Sequence, residues 1–172
     1  MKGYLFKTGR KEKGVMVKEF YELDAIKARK LLGSGEISSA DLLESCIGRI
    51  NAVNPMVNAV VTECFERARA EAKIADKLVK KKGRLPPLHG LPIGIKDLNE
   101  TEGVRTTFGS KLYENYVPDF DEGLVLRLRR AGAIIIGKTN TPEFGAGSNT
   151  NNKVFGSTRN PFNLEFTAGG SS

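Results

Sequence analysis

The chain has 172 residues, 40% of them hydrophobic, which is enough for one ordinary domain or for part of a larger one. No apolar run approaches the ~20 residues that a membrane-spanning helix needs, and residues 1–6 contain no stretch typical of a signal peptide. We therefore expect a cytoplasmic protein. One histidine and two cysteines cannot form a Cys/His zinc cluster or a disulfide framework. We expect neither a metal nor a cofactor, and we expect Cys46 and Cys64, which fall at apolar positions of helical patterns, to serve in packing.

The charge is basic, with 27 Lys and Arg against 20 Asp and Glu and a formal net charge of +7. Much of the excess lies in residues 2–18 and 77–84. The second block ends a helical pattern, where cations complement the helix dipole. No aromatic residues are interleaved with these charges, as single-stranded nucleic acid binding would require. The sequence therefore disfavours a nucleic acid partner.

The first half of the chain has helical periodicity. Apolar residues at helical spacing predict a helix over 25–32, which ends at the Gly33-Ser34-Gly35 turn. A second helix is predicted from a cap at Ser39 to the residue before Asn54-Pro55. A third and longer pattern covers 61–79.

The second half changes to strand patterns. Residues 91–96 are largely apolar and bounded by turn residues, which predicts a buried strand. A helix is predicted over 121–131, with acidic residues at its start, and another buried strand over 133–137. Strand, helix and strand in this order predict a right-handed crossover unit in an α/β sheet covered by helices. Residues 139–172, rich in Gly, Asn, Thr and Ser, are predicted to form a long functional loop.

Lys96 is a candidate catalytic base at the end of the first predicted strand. Neighbouring strand residues face opposite sides, so Gly94 and Lys96 share one face while Ile93, Ile95 and Asp97 share the other. Lysine in water has a pKa of ~10.4, and desolvation can lower it enough for base catalysis at neutral pH. A lysine that simply reaches solvent from a strand end remains the alternative. Asp97 is interpreted as a turn or cap residue.

The run Gly169-Gly170-Ser171-Ser172 is a second candidate site. Tandem glycines allow close approach of main chain to a substrate, and the serines could act as nucleophiles, proton relays or helix caps. A flexible tail is the alternative. His89, between Pro87 and Gly90, is interpreted as a structural loop residue.

Four segments in a fixed order strengthen these signals: LHGLPIGIKDLNETEGVRTTFGS, RLRRAGAIIIGKTNTPEFG, FGSTRNPFN and TAGGSS. Together they resemble the amidase signature family of serine hydrolases. The likeness begins near Leu23 and includes SGEISSADLLES and RINAVNPMVNAVV. It implies a variable basic extension over 1–22 and the N-terminal portion of an amidase signature domain over 23–172. The implied fold is α/β, with N-terminal helices and the first strands of a mixed β-sheet sandwiched by helices.

The resemblance also assigns roles. Members of the family cleave carboxamides through a Ser, cis-Ser, Lys triad, in which Lys96 matches the lysine and Ser171 the serine that follows a cis peptide bond. Neutral Lys96 would accept a proton, through Ser171, from a nucleophilic serine that forms an acyl-enzyme. Ser172 and Gly170 match supporting positions, and Gly145 matches a position that borders the substrate.

The family's nucleophile and oxyanion hole lie in a second glycine-rich turn further along the chain than residue 172. The 172 residues alone are therefore expected to be inactive, with the remainder of the same polypeptide and a small-molecule amide as partners and a homodimer left open. A strand over 134–136 without neighbours would also make the isolated piece poorly soluble. Two alternatives stay open: the glutaminase subunit of a tRNA-dependent amidotransferase, and a catalytically dead binding or scaffold remnant.

Overall fold

The computed structural model describes residues 19–81 and 83–170. Ser171, Ser172, the cis bond expected before Ser171 and most of the basic extension lie outside these residues. The described α-helices are α1 (Ala25–Ser34), α2 (Ser39–Val57), α3 (Phe65–Lys80) and α4 (Gly123–Arg130). The described strands are β1 (Val60–Glu63), β2 (Pro92–Lys96), β3 (Ile134–Thr139), β4 (Asn151–Asn152), β5 (Gly156–Ser157), β6 (Arg159–Asn160) and β7 (Asn163–Thr167). None of the described helices is long and apolar enough to cross a membrane.

The main sheet has three strands in the order β1-β3-β2. The central strand β3 runs antiparallel to β1 and parallel to β2, and α4 connects the parallel pair in sequence. The sheet is therefore mixed, as predicted. Because β3 has a neighbour on each side, the expectation that residues 134–136 would lack neighbours is wrong.

Strand β1 was not predicted, and Val61 lies in it instead of in the third helix. Val60, Val61 and Thr62 are β-branched residues, which favour a strand. The helix α3 begins only at Phe65.

The helix α1 runs two residues past its predicted bound of 32, into the predicted terminating turn, whereas α2 departs from its prediction at both ends. The turn that ends α1 has Gly35 in the left-handed conformation with φ of 75°. The N-cap of α2 is Ser38 and not Ser39, because the Ser38 hydroxyl accepts the Asp41 amide at 2.9 Å. The same helix continues through Pro55 to Val57, contrary to prediction.

Pro55 is tolerated because it lies in the last turn of α2, where few helical bonds remain to be lost. The side chain of Asn54 then forms hydrogen bonds with the backbone of the residues that follow the helix. Its Oδ1 accepts the amides of Ala59 and Val60, each at 2.8 Å, and its Nδ2 donates to the Val60 carbonyl at 2.8 Å. These bonds join the end of α2 to the start of β1.

Helices cover both faces of the sheet. The helices α2 and α3 pack against Ile134 and Ile136 of β3 through Leu43, Ile47 and three alanines of α3. On the opposite face, Val125 of α4 packs against Ile95 and Ile135. A third cluster joins α1 to α2. The predicted α/β fold with a mixed sheet between helices is confirmed.

The segment after β3 is not one long loop, as its composition predicted. It contains two antiparallel pairs of short strands, β4 with β5 and β6 with β7. We call residues 149–170 the hairpin module. The pairing shows that the polar composition of this segment encodes hydrogen-bonded turns and short strands.

Candidate active site

Lys96 is the last residue of β2, at the carboxyl end of the sheet, in register with Thr139 of β3. This lysine is half-buried. A Cβ at Gly94 would lie 2.9 Å from the Thr139 methyl carbon, so glycine is needed for Thr139 to pack there. Ile93 and Ile95 belong to the cluster beneath α4, on the other face. The two faces of β2 are therefore divided as the sequence predicts.

Asp97 is fully buried and is more than a turn or cap residue. Its carboxylate accepts the amide and the hydroxyl of Thr107 and lies 4.0 Å from the ammonium nitrogen of Lys138. Burial raises the pKa of Asp97, while the bonds from Thr107 and the charge of Lys138 oppose the rise. The carboxylate closes the loop that begins at the end of β2.

Lys138 is also fully buried, and sequence reasoning missed it. Its Nζ donates to the Asn99 carbonyl, to the Thr101 hydroxyl at 3.2 Å and to the Thr106 hydroxyl at 2.8 Å. Burial lowers the pKa of Lys138 to about 8, against the opposing effect of Asp97. One signal could have revealed it, namely a lysine that closely follows the apolar run 134–136 in a strand predicted to be buried.

Gly145, the residue predicted to border the substrate, lies beside the residues that follow β2. It ends a short 3₁₀ turn and has a φ of 73°. A Cβ on Gly145 would lie 2.7 Å from Leu98 Cδ1, and Leu98 follows Lys96 by two residues. The structure therefore brings Gly145 close to the strand end that carries Lys96.

An aromatic cluster adjoins this turn. The rings of Phe108, Tyr113 and Tyr116 contact one another, and Phe144 contacts Tyr113, with centroid distances from 5.0 to 6.2 Å. The amide of Phe144 donates to the Phe108 carbonyl at 2.7 Å, which links the loop after β2 to the turn at Gly145. Phe144 is 53% exposed, so the cluster presents an open aromatic surface next to Gly145.

Asn140 attaches the hairpin module to the end of β3. Its Nδ2 donates to the Gly156 carbonyl at 3.1 Å and to the Thr158 hydroxyl at 3.0 Å. Its Oδ1 accepts the Thr141 amide at 3.0 Å and the Asn152 side-chain amide at 2.7 Å. Because Asn140 is only 2% exposed, the three bonds to Gly156, Thr158 and Asn152 fix the module against the carboxyl end of the sheet.

The tandem glycines are tied into the hairpin module. Gly170 has a φ of 83°, its amide donates to the Ser148 carbonyl at 2.8 Å, and its carbonyl accepts the Thr150 hydroxyl at 3.2 Å. Gly169 forms an antiparallel bridge with Asn149. The chain is therefore bonded up to residue 170, contrary to a flexible tail. Ser171 and Ser172 lie outside the described residues, so their predicted roles stay predictions.

The single histidine lies away from this edge of the sheet. His89 is 1% exposed and lies in the turn before β2, at the opposite end of that strand from Lys96. Burial lowers the pKa of His89 and raises the pKa values of two free thiols, Cys46 in α2 and Cys64 at the N-cap of α3. Within residues 19–81 and 83–170, no group of three or more His, Cys, Asp or Glu side chains could hold a metal ion.

The fold and these residues define an α/β protein with most of its buried polar side chains at the carboxyl edge of the sheet, where such proteins bind ligands. The chain belongs to the amidase signature family, because the Amidase family model matches residues 41–172. It is similar to a glutamyl-tRNA(Gln) amidotransferase subunit from Roseiflexus sp. (strain RS-1), with 49% identity over 152 residues.

Solved structures agree with this membership. A 6-aminohexanoate cyclic dimer hydrolase, complexed with substrate, is 38% identical with a TM-score of 0.78, over 90% of this chain and 30% of that one. A bacterial aryl acylamidase of the amidase signature family is 32% identical with a TM-score of 0.82, over 87% of this chain and 31% of that one. The Roseiflexus match covers 88% of this chain and 31% of the relative, so the chain spans about a third of the length of such relatives.

Proposed function

We propose that the full-length protein hydrolyses a carboxamide to a carboxylate and ammonia or an amine, with Lys96 as the base. The observation that carries the proposal is the position of Lys96, half-buried at the carboxyl end of β2 with the Gly145 turn alongside. Of two similar structures, one is named a cyclic dimer hydrolase and the other an aryl acylamidase. Family membership and the position of Lys96 support the same chemistry.

In the proposed mechanism, the neutral Lys96 amine accepts a proton from Ser171, which takes it from a nucleophilic serine. The serine oxygen attacks the amide carbonyl, and the C–N bond breaks as the relay returns the proton to the departing nitrogen. Water then hydrolyses the acyl-enzyme ester and regenerates the serine. Ser172 and Gly170 support Ser171, and the main chain at Gly145 borders the substrate.

We further propose that residues 1–172 by themselves do not hydrolyse amides. The resemblance places neither the nucleophile nor the oxyanion hole within them. Loss of one oxyanion donor alone costs about 10²–10³ in rate, and loss of the nucleophile ends covalent catalysis.

Replacement of the lysine tests the mechanism. In the full-length protein, Lys96→Ala should abolish hydrolysis of a panel of amides at neutral pH while leaving the melting temperature within a few degrees of wild type. Lys73→Ala, at an exposed position on α3, is the matched control and should stay fully active. An active Lys96→Ala enzyme would contradict the assignment.

A fluorophosphonate probe tests the location of the nucleophile. It should label the full-length protein and leave a polypeptide of residues 1–172 unlabelled. Labelling of the shorter polypeptide would mean that Ser171 or Ser172 is itself the nucleophile. An unlabelled and inactive full-length protein would instead favour the catalytically dead remnant.

A second candidate is the glutaminase subunit of a tRNA-dependent amidotransferase. It is favoured by the 49% identity to a glutamyl-tRNA(Gln) amidotransferase relative. This candidate predicts that the protein copurifies with partner subunits and that glutamine is hydrolysed faster than simple amides. Hydrolysis of aryl or alkyl amides by the isolated full-length chain, with no activity on glutamine, would exclude it.

A further inference from the structure

We propose that Lys138 is a positioning residue for Lys96, because its buried ammonium holds the loop that fixes the end of β2. This inference rests on the proposed function of Lys96. We call residues 97–110 the clamp loop. Lys138 lies on β3, in register with Ile95 of β2, and the side chain of Ile95 packs beneath α4.

Each of the three protons of the Lys138 ammonium has an acceptor, and all three acceptors belong to the clamp loop. They are the Asn99 carbonyl, the Thr101 hydroxyl and the Thr106 hydroxyl. The two hydroxyls donate their own protons to backbone carbonyls, Thr101 to Asn99 and Thr106 to Val104, each at 3.1 Å. The ammonium is thus the central donor of a satisfied network, which rigidifies the loop.

The network reaches Lys96 through a single residue. The amide of Asn99 donates to the Lys96 carbonyl at 3.0 Å, and the carbonyl of Asn99 accepts from Lys138. Immediately after Lys96, the amide of Asp97 donates to the Thr139 carbonyl at 2.9 Å. Two successive hydrogen bonds, through Asn99, therefore connect the backbone of Lys96 to the ammonium of Lys138.

Asp97, the first residue of the clamp loop, closes the loop by binding residues near its other end. Its carboxylate accepts from Thr107, its carbonyl accepts the Phe108 amide at 3.0 Å, and the Thr107 hydroxyl accepts the Gly109 amide at 3.0 Å. Phe108 then leads to the turn that carries Gly145, through its bond with Phe144. Through Lys138 and Asp97 the loop couples the base to the predicted substrate position.

Apolar side chains would fill this part of the sheet with less desolvation than a lysine and an aspartate, so the pair is not needed for core stability. Hydrogen bonds are directional, so they fix a loop more narrowly than apolar contacts do. The titratable groups that face Lys138 are Asp97, Cys64, Glu122 and Glu100, and burial outweighs them in lowering the pKa of Lys138 to about 8. The ammonium form, with all three donors, therefore prevails at neutral pH and declines above it.

The test removes the ammonium without leaving a buried carboxylate unpaired. Lys138→Met alone would leave the buried Asp97 carboxylate without its cationic partner and could prevent folding. The main variant is therefore Lys138→Met/Asp97→Asn in the full-length protein. Methionine keeps much of the volume, and the asparagine oxygen can still accept from Thr107. Lys73→Met, on the exposed face of α3, is the matched control.

Two measurements are made on each variant, namely amide hydrogen exchange and amide hydrolysis. In the double variant we expect the amides of Asn99, Thr107 and Phe108 to exchange at least about tenfold faster, while those of α2 are unchanged. We expect kcat to fall by about 10–100-fold with KM within about threefold of wild type, because Lys96 is misplaced and substrate contacts are kept. The Lys73→Met protein should match wild type in both.

Three results would overturn the proposal: unchanged exchange in the clamp loop, faster exchange with unchanged kcat, or a change confined to KM. A wild-type protein that cleaves no amide would overturn the proposed function and the catalytic part of this inference together. The exchange data would then decide by themselves whether Lys138 holds the loop.

Discussion

Asn140 offers a perturbation of the candidate site that changes a single atom type. Asn140→Asp keeps the shape of the side chain but replaces the Nδ2 donor by an oxygen. That nitrogen donates to the Gly156 carbonyl at 3.1 Å and to the Thr158 hydroxyl at 3.0 Å, in a side chain that is 2% exposed. The substitution therefore acts on the attachment of the hairpin module to β3.

The magnitude follows from what each acceptor loses. A buried acceptor without a donor costs ~1–3 kcal/mol, so two lost bonds cost about 2–6 kcal/mol before relaxation. The Thr158 hydroxyl, which donates to the Asn58 carbonyl at 2.7 Å, can turn toward the new carboxylate, but the Asn58 carbonyl then loses its donor. The Gly156 carbonyl gains no new donor, and its partially negative oxygen faces the negative carboxylate of the variant. We expect a destabilisation of about 3 kcal/mol and a melting temperature lower by about 5 °C or more.

The same variant should lose activity, because the hairpin module carries Gly170 and leads directly to Ser171. We expect kcat/KM for the best amide substrate to fall more than about tenfold. The control is Asn163→Asp, an exposed residue whose Oδ1 accepts the Glu165 amide at 3.0 Å, a role that a carboxylate keeps. Thermal unfolding and hydrolysis rates are compared at one pH near neutrality. If the Asn140 and Asn163 variants behave alike, the attachment has no bearing on the site.

Two glycines give further tests. Gly137→Ala should destabilise the protein by about 1–3 kcal/mol in denaturant unfolding, since a Cβ there would lie 2.6 Å from the Thr62 carbonyl oxygen. The control is Gly48→Ala on α2, where a Cβ would have nothing within 4 Å, so this variant should be neutral or stabilised by up to ~1 kcal/mol. Equal effects of the two substitutions would disprove the crowding at Gly137. Gly145→Ala forces a side chain to a φ of 73° at a cost of about 1–2 kcal/mol and pushes on Leu98. It should lower kcat/KM about tenfold, and an unchanged value would separate Gly145 from the substrate.

The elements that sequence reasoning predicted well are those with a local cause. The strands β2 and β3 are apolar runs bounded by turn residues. The helical pattern of α4 between them favours a parallel arrangement of the two strands in one sheet. The end of α1 is encoded by Gly35, the residue that adopts the left-handed conformation most readily. In each case a few consecutive residues decide the outcome, and nothing distant is needed.

The elements that were missed depend on distant partners. Strand β1 has four residues and directly precedes a strong helical pattern, so its identity comes from its pairing with β3, in which Thr62 lies opposite Lys138. The strands β4 and β6 have two residues each, too few to show any periodicity. The apolar run 134–136 indicates a buried position for Lys138, but the acceptors that satisfy its ammonium lie in the clamp loop, and no pattern around residue 138 identifies them. Longer polar networks are therefore the part of this fold that periodicity cannot predict.

The two ends of the sheet differ in what they bury. Toward the amino end of β3 the buried residues are Ile134 and Ile135, and toward its carboxyl end they are Lys138, Asn140 and Thr141. Apolar contacts tolerate changes of shape when volume is kept, whereas a buried donor or acceptor tolerates almost no change of partner. The amino end of the sheet therefore mainly stabilises the fold, and the carboxyl end mainly fixes the positions of its side chains. Isosteric polar substitutions should accordingly be most damaging at the end of the sheet that carries Lys96, where a proton relay would need fixed distances.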